Sequence, residues 1–478
     1  MDLDSVQEID RKARCIQQRA DVLIVGAGVF GCAMAVALAN QGRSVVLLER
    51  SLKQPDRIVG ELLQPGGVSA LEKLGLAQCL EGIDSVPVHG YQVIYHGTSV
   101  SIPYPSPNNE NTGKHGYTSL KEGKPEGRSF HHGRFISQLR KACFNHPNIT
   151  VVETLVLETI KNTLTDVVLG VKSETMNEKT KKREKDFFFG DLTIIADGKF
   201  YALELIDCPL PVPYYGTVIL GDGSPVLLYQ IGTHETRALI DVPENTPSAS
   251  VAAGGIRNHI RNVVLPSLPS QIQPFFEKAM EDGKIPRSMP NSWLPPSMQQ
   301  QKGVILLGDA MNMRHPLTGG GMTVALNDVV YLSELLSPDR VPHLENTAAI
   351  QRAMKEFHWK RKSLSSVINI LAMALYSLFA ANDRQLKALQ RGCFAYFQKG
   401  GNCVDGPVGL LAGIIRQPIV LFYHFFAVAF VSIGITVSET MGNLFGIWKV
   451  PLALRESTLI FWKACVVILP FIFSEIQK

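Results

Sequence analysis

The segment 21–49 constrains the fold most, because it has the complete pattern of a nucleotide-binding βαβ unit. An apolar strand leads into Gly-Ala-Gly-Val-Phe-Gly at 26–31, an apolar helical stretch follows, and a second apolar strand comes next. In such a G-x-G-x-x-G, Gly26 permits the tight turn, Gly28 lets the backbone approach a pyrophosphate, and Gly31 allows close packing of helix on strand. The pattern predicts an α/β fold with a dinucleotide-binding domain.

Three further residues of this unit are candidates for direct contact with the dinucleotide. The backbone amides of Val29 and Phe30 would face phosphate oxygens at the start of the helix. Glu49 ends the second strand, about 20 residues after the first glycine, where a carboxylate accepts hydrogen bonds from ribose hydroxyls.

A second signature far downstream favours FAD over a nicotinamide cofactor. The predicted strand 303–307 is followed by Asp309 and then by three glycines at 319–321. The Asp309 carboxylate can accept hydrogen bonds from the ribityl chain of FAD, and the glycines open a helix whose dipole can face the flavin pyrimidine edge. This two-part layout resembles flavin hydroxylases of the para-hydroxybenzoate hydroxylase class.

Composition excludes several other classes of protein. The formal charge is only +4, without a basic block among aromatic residues, so nucleic-acid binding is not expected. Eight cysteines lack any C-x-x-C pair, which argues against a zinc site or a disulfide scaffold, and no metal site is predicted. Charged residues are 19% of the chain and mean hydropathy is +0.08, which indicates extra apolar surface.

Membrane attachment is expected from the C-terminal part, since the first twenty residues are polar and do not resemble a signal peptide. Segment 418–437 has no formal charge and is about long enough to cross a bilayer. Segment 459–473 is shorter and contains Lys463 and Pro470. We expect helices that lie in one leaflet, with Lys463 and Arg455 reaching the headgroups; a buried helix pair is the alternative.

Several long motifs resemble the squalene epoxidase family: Asp-Arg-Ile-Val-Gly-Glu-Leu-Leu-Gln-Pro-Gly-Gly at 56–67, Phe-His-His-Gly-Arg-Phe at 130–135, and the glycine-rich stretch 308–323. The tail 406–429 is also similar. The resemblance implies a Rossmann-like FAD domain of the glutathione-reductase type, a mixed-sheet substrate domain and C-terminal membrane-associated helices. It further implies FAD- and O2-dependent epoxidation of squalene to (S)-2,3-epoxysqualene in sterol biosynthesis, through a flavin hydroperoxide. A flavin hydroxylase or reductase of another isoprenoid is the alternative.

The resemblance also implies domain limits and site residues. The expected parts are a polar arm (1–20), an FAD-binding domain in three parts (21–103, 129–200 and 301–345), a solvated loop (104–128), a substrate-binding domain (201–300) and a helical membrane-associated region (346–478). Tyr91 is expected beside the flavin, where it shapes the active site. The expected FAD-binding residues are Gly26, Gly28, Val29, Phe30, Gly31, Glu49, Arg50, Arg57, Arg134, Asp309 and Met322.

The expected partners follow from the same resemblance. No second G-x-G-x-x-G is present for NADPH, so electrons should come from a separate NADPH–cytochrome reductase. The expected location is the cytosolic face of the endoplasmic reticulum membrane.

The chain departs from the family pattern directly after Gly198. Relative to the family pattern, roughly twenty residues are missing there, including an arginine near the cofactor. Either the gene model is wrong at this point, or the chain is an impaired or inactive member of the family.

Overall fold

The computed structural model of the protein describes residues 19–58, 60–106, 125–176, 182–195, 203–221, 225–242, 246–281, 294–315, 318–442 and 446–477. The predicted polar arm and solvated loop lie mostly outside these ranges. The shortened segment after Gly198 also lies outside them, between a strand that ends at Ile195 and one that begins at Leu203.

The described strands and helices are as follows. The strands are β1 Arg19–Val25, β2 Val45–Glu49, β3 Leu62–Leu63, β4 Val86–Val88, β5 Gly90–Tyr95, β6 Thr98–Pro103, β7 Gly127–Ser129, β8 Ile149–Glu153, β9 Leu155–Lys161, β10 Val168–Met176, β11 Arg183–Ile195, β12 Leu203–Ile206, β13 Tyr215–Leu220, β14 Val226–Gln230, β15 Glu235–Ile240 and β16 Val304–Leu306. The α-helices are α1 Val29–Ala39, α2 Pro65–Lys73, α3 His132–Phe144, α4 Gly255–His259, α5 Gln273–Glu281, α6 Gly321–Leu335, α7 Thr347–Phe379, α8 Arg384–Gln398, α9 Asn402–Leu411, α10 Pro418–Met441 and α11 Val450–Gln477.

The first sheet contains the predicted nucleotide-binding unit. Its strands run in the order β8-β2-β1-β11-β10-β9, and β16 pairs with β11. Strands β8, β2, β1, β11 and β16 are parallel, so their carboxyl ends meet at one edge. Helix α1 is buried from Phe30 to Ala39 because it packs between this sheet and α6.

The second sheet has the order β12-β15-β14-β13-β5-β6. Its strands β12 to β15 lie within the expected substrate-binding domain 201–300. Strands β5 and β6, however, belong to this sheet too, because β5 pairs in parallel with β13. The division expected at residue 103 therefore does not coincide with the division between the sheets: 90–103 lie with the substrate side, not with the nucleotide-binding unit.

The C-terminal helices pack on one face of the second sheet and also present apolar side chains outward. Among the described residues, three helices are long and apolar enough to cross a membrane: Thr347–Phe379, Pro418–Met441 and Val450–Ile476. The run predicted at 459–473 is thus the middle of a longer helix that includes Pro470. Lys463, expected at the headgroups, has its Nζ 2.6 Å from Oδ2 of Asp383.

Candidate active site

A cavity of about 650 Å³ opens where the carboxyl ends of β1 and β2 meet the start of α6 and the second sheet. This volume lies within the range of roughly 300–1,000 Å³ for ligand clefts. All the predicted FAD-binding residues except Arg134 line it: Gly26, Gly28, Val29, Phe30, Gly31, Glu49, Arg50, Arg57, Asp309 and Met322. The fold thus brings together the two glycine-rich signatures, which lie far apart in the sequence.

The glycine turn has the shape that a pyrophosphate needs. Gly26 has φ +102°, a conformation that favours glycine. A Cβ on Gly31 would lie 1.9 Å from the carbonyl oxygen of Gly26, so a side chain there would push α1 off the strand. A Cβ on Gly28 would meet nothing within 4 Å, because that position borders the open cavity. The residues present therefore fit a dinucleotide laid across the start of α1.

Glu49 is held in place by Arg140, a residue that the sequence reasoning missed. One Glu49 carboxylate oxygen accepts a hydrogen bond from the Ala27 amide at 2.7 Å and lies 3.4 Å from Nη2 of Arg140. Arg140 Nε donates to the Ala27 carbonyl at 3.0 Å, and Nη1 donates to the Ser51 and Lys53 carbonyls, each at 3.1 Å. Arg140 thus contacts the glycine turn, the carboxylate of Glu49 and the loop that follows Glu49.

Arg140 could have been noticed from its position in helix α3. It is only 7% exposed and lies on the same helical face as Ile136 and Cys143, which are also buried. A charged residue on an apolar helical face is uncommon unless it has a partner. Arg134 lies elsewhere: its Nη1 is 3.6 Å from Asp84 Oδ2, both side chains are more than a third exposed, and it does not line the cavity.

Tyr91 does not line the cavity, and its hydroxyl is hydrogen-bonded to Gln64, which contacts the carbonyl of Thr318 beside the lining residue Gly319. The Tyr91 hydroxyl accepts a hydrogen bond from Gln64 Nε2, which also donates to the carbonyl of Thr318 at 2.8 Å. The hydroxyl of Tyr104 donates to Gln64 Oε1 at 2.7 Å. Burial raises the pKa of Tyr91 to about 12, so its hydroxyl is protonated at neutral pH. A role for Tyr91 beside the flavin stays a prediction.

A buried ion pair joins the cavity to the second sheet, and sequence reasoning missed it as well. Both carboxylate oxygens of Glu61, which lines the cavity, accept hydrogen bonds of 2.7 Å from Arg237 in β15. The neighbouring wall is apolar, with Leu62, Leu227 and Leu239. The cavity therefore has a polar part near the glycine turn and an apolar part against the second sheet. No cluster of His, Cys, Asp or Glu among the described residues could hold a metal ion.

Comparison with known proteins identifies the family. The squalene epoxidase family matches residues 185–449, and the FAD dependent oxidoreductase family matches residues 21–55. The chain is 58% identical to squalene epoxidase ERG1 of Gibberella zeae, covering 98% of both proteins. The chain belongs to the squalene epoxidase family. It is also 40% identical to the squalene monooxygenase of Mus musculus, over 96% of this chain and 78% of the mouse protein.

Solved structures of flavin enzymes share the fold at low sequence identity. The p-nitrophenol 4-monooxygenase PnpA of Pseudomonas putida superposes with a TM-score of 0.62 at 16% identity, over 84% of this chain and 100% of that one. PqsL of Pseudomonas aeruginosa, solved with 2-aminobenzoylacetate, gives 0.60 at 18% identity, over 80% and 100%. The predicted fold class is confirmed. The protein is an FAD-dependent monooxygenase, and FAD is its cofactor.

Proposed function

We propose that this protein catalyses the FAD- and O2-dependent epoxidation of squalene to (S)-2,3-epoxysqualene in sterol biosynthesis. The observation that carries the proposal is the 58% identity to a squalene epoxidase over almost the whole of both chains. The two-part cavity supports it, because an apolar wall suits a hydrocarbon substrate. When bound, FAD supplies the oxygen-transfer chemistry, and the protein supplies orientation and exclusion of water.

The lining residues have distinct roles in this proposal. The Val29 and Phe30 amides bind the FAD phosphates, and the carboxylate of Glu49, oriented by Arg140, accepts hydrogen bonds from the adenosine ribose. Asp309 accepts hydrogen bonds from the ribityl chain, Met322 lies at the start of α6, and Arg57 offsets phosphate charge. Arg50 lines the same polar part of the cavity.

Squalene offers no group for hydrogen bonding, so its binding energy must come from the burial of apolar surface. Leu62, Leu227 and Leu239 supply such surface in the apolar part of the cavity. Water in this part would divert activated oxygen to peroxide, so a dry wall favours productive turnover.

The electron donor and the location are part of the same proposal. We infer that a separate NADPH–cytochrome reductase reduces the flavin, since the chain carries a single glycine-rich dinucleotide motif. We also infer attachment to the cytosolic face of the endoplasmic reticulum membrane. Large apolar side chains that point outward from α10 and α11 support membrane association, among them Ile419, Phe430, Leu454 and Trp462.

The shortened segment after Gly198 raised one alternative, an impaired member of the family, but the 58% identity over 98% of both proteins does not favour it. The match to the Gibberella protein extends over 491 aligned positions although this chain has 478 residues, so at least 13 positions lack a counterpart here. The strands on both sides of the segment are nevertheless paired: β11 with β1, and β12 with β15. This pairing supports a protein that is folded on both sides of the segment.

The test is oxygen consumption by the purified protein in detergent, with FAD, a cytochrome reductase, NADPH and squalene. Stoichiometric formation of the epoxide supports the proposal. Peroxide without epoxide would support the impaired alternative, and turnover of a different isoprenoid in place of squalene would support the second enzyme class.

A further inference from the structure

Helix α11, the last of the apolar C-terminal helices, contributes a buried carboxylate to the interior of the protein. Glu475 is 4% exposed, although it lies in the last turn of a helix with many outward apolar side chains. Its Oε2 accepts a hydrogen bond from Ser366 Oγ at 2.8 Å, and its Oε1 accepts one from Asn369 Nδ2 at 2.7 Å. Both partners lie in α7. A buried carboxylate needs hydrogen-bond donors, and α7 supplies two of them.

The Asn369 side chain connects this carboxylate to the flavin cavity. Its Oδ1 accepts a hydrogen bond of 2.8 Å from Nε of Arg314, a buried arginine that lines the cavity. Arg314 Nη1 donates to the carbonyl of Gly321 at 3.3 Å, where α6 begins. A continuous chain of hydrogen bonds thus runs from Glu475 through Asn369 and Arg314 to the cavity wall.

Charge balance explains why the carboxylate is needed. Arg314 and Arg361 are both buried and close together, and Arg361 is paired with Asp328 at 2.6 and 2.9 Å. Burial and the charge of Arg361 lower the pKa of Arg314 to about 10, whereas Asp309, Asp328 and Glu475 oppose that shift. A buried charge without enough opposite charge nearby is costly. Loss of Glu475 should therefore leave the guanidinium of Arg314 less firmly positioned.

We propose that Glu475 is a positioning residue of the flavin site: through Asn369 it fixes the guanidinium of Arg314 against the cavity, so that bound FAD meets a preset cation. The C-terminal helix then does more than attach the protein to a membrane. This inference rests on FAD as the cofactor, and its test measures flavin binding rather than turnover.

The test is a double-mutant cycle read by the dissociation constant of FAD. Flavin-free protein in detergent is titrated with FAD, and the quenching of flavin fluorescence is followed. The cycle combines Arg314→Met with Glu475→Gln, a change that keeps the shape of the side chain. The factor by which Arg314→Met weakens FAD binding should fall by about 2- to 30-fold in the Glu475→Gln background, the range expected for residues coupled through contacts.

The matched control is Glu456→Gln in the same helix. Glu456 is 5% exposed, and its partner is the surface residue Arg384 at 3.5 Å, outside the hydrogen-bond chain. Its effect should add to that of Arg314→Met, as general destabilisation would. If Glu475→Gln does not fold, Ser366→Ala removes one bond to the carboxylate and should show a smaller coupling of the same sign.

The outcomes separate this inference from the proposed function. Additive effects of Glu475→Gln and Ser366→Ala with Arg314→Met would overturn the positioning role while leaving the FAD site intact. Failure of the unmodified chain to bind FAD would overturn both.

Discussion

Two alanine variants, Arg140→Ala and Arg134→Ala, test which arginine of helix α3 supports the FAD site. Arg140 makes three hydrogen bonds to backbone carbonyls around the glycine turn and lies 3.4 Å from the carboxylate of Glu49. Its removal leaves Glu49 without its cation and the loop 51–53 without its donors. We therefore expect Arg140→Ala to disorder the ribose-binding side of the cavity.

The expected losses of FAD affinity differ clearly between the two variants. A hydrogen bond to a charged group contributes about 1.5–3 kcal/mol, so loss of even one effective bond should weaken FAD binding by roughly 10- to 150-fold. Arg134 and Asp84 are 39% and 37% exposed, and exposed pairs contribute about 0.2–1 kcal/mol. Arg134→Ala should therefore change the dissociation constant by no more than about fivefold.

Fluorescence titration of flavin-free protein with FAD measures both constants, and thermal unfolding of each variant checks that the fold is retained. Glu49→Gln provides a further comparison, since its effect should overlap with that of Arg140→Ala rather than add to it. The opposite result would be strongly weakened FAD binding in Arg134→Ala and unchanged FAD binding in Arg140→Ala. It would show that the family expectation for Arg134 holds and that our reasoning from contacts is wrong.

Further predictions concern the cofactor, pH, the tail and the shortened segment. Asp309→Ala should weaken FAD binding by about 1.5–3 kcal/mol, while the unmodified chain prefers FAD to FMN in the same titration. Burial lowers the pKa of His132 and His315 to about 4. The stability that their neutral forms contribute is therefore complete above about pH 6.5 and is lost as the pH falls toward 4. His132→Gln should flatten the dependence of the melting temperature on pH in that window. Truncation after Gly406 should give aggregated protein in sedimentation assays, because it uncovers the apolar core beside α8. Insertion of a family-like segment after Gly198 should raise the ratio of epoxide formed to oxygen consumed; unchanged coupling would show that the segment is dispensable.

The parts of the fold that sequence reasoning predicted correctly depend on local patterns. The glycine turn, the strand that ends at Glu49 and the strand before Asp309 each have a signature within a few residues, and the structure places all three at one cavity. The family resemblance extended the prediction to the whole fold because its motifs cover both halves of the cofactor site.

The parts that were missed depend on contacts between distant residues. The side chains of Glu61 and Arg237 are separated by 176 positions, and nothing in either local sequence indicates the other. The pairing of 90–103 with the second sheet could not be predicted, because strand propensity does not specify a partner. The position of Arg140 on an apolar helical face indicates a buried partner, but its bonds go mainly to backbone carbonyls, which no side-chain motif identifies. The role of Tyr91 stays a prediction, since neither Tyr91 nor its hydrogen-bond partner Gln64 lines the cavity.

The C-terminal helices have two faces with different demands. Phe430 and Trp462 point outward, more than half exposed, as expected of a surface that meets lipid. On the inner side, Leu421 and Ile460 are buried with side chains of the second sheet, and Glu475 enters the polar cluster at the flavin cavity. Because the same helices complete the core, attachment to the membrane and integrity of the active site cannot be separated by deletion. Replacement of the outward apolar side chains by polar ones is the change that can release the protein from lipid while the flavin cavity stays intact.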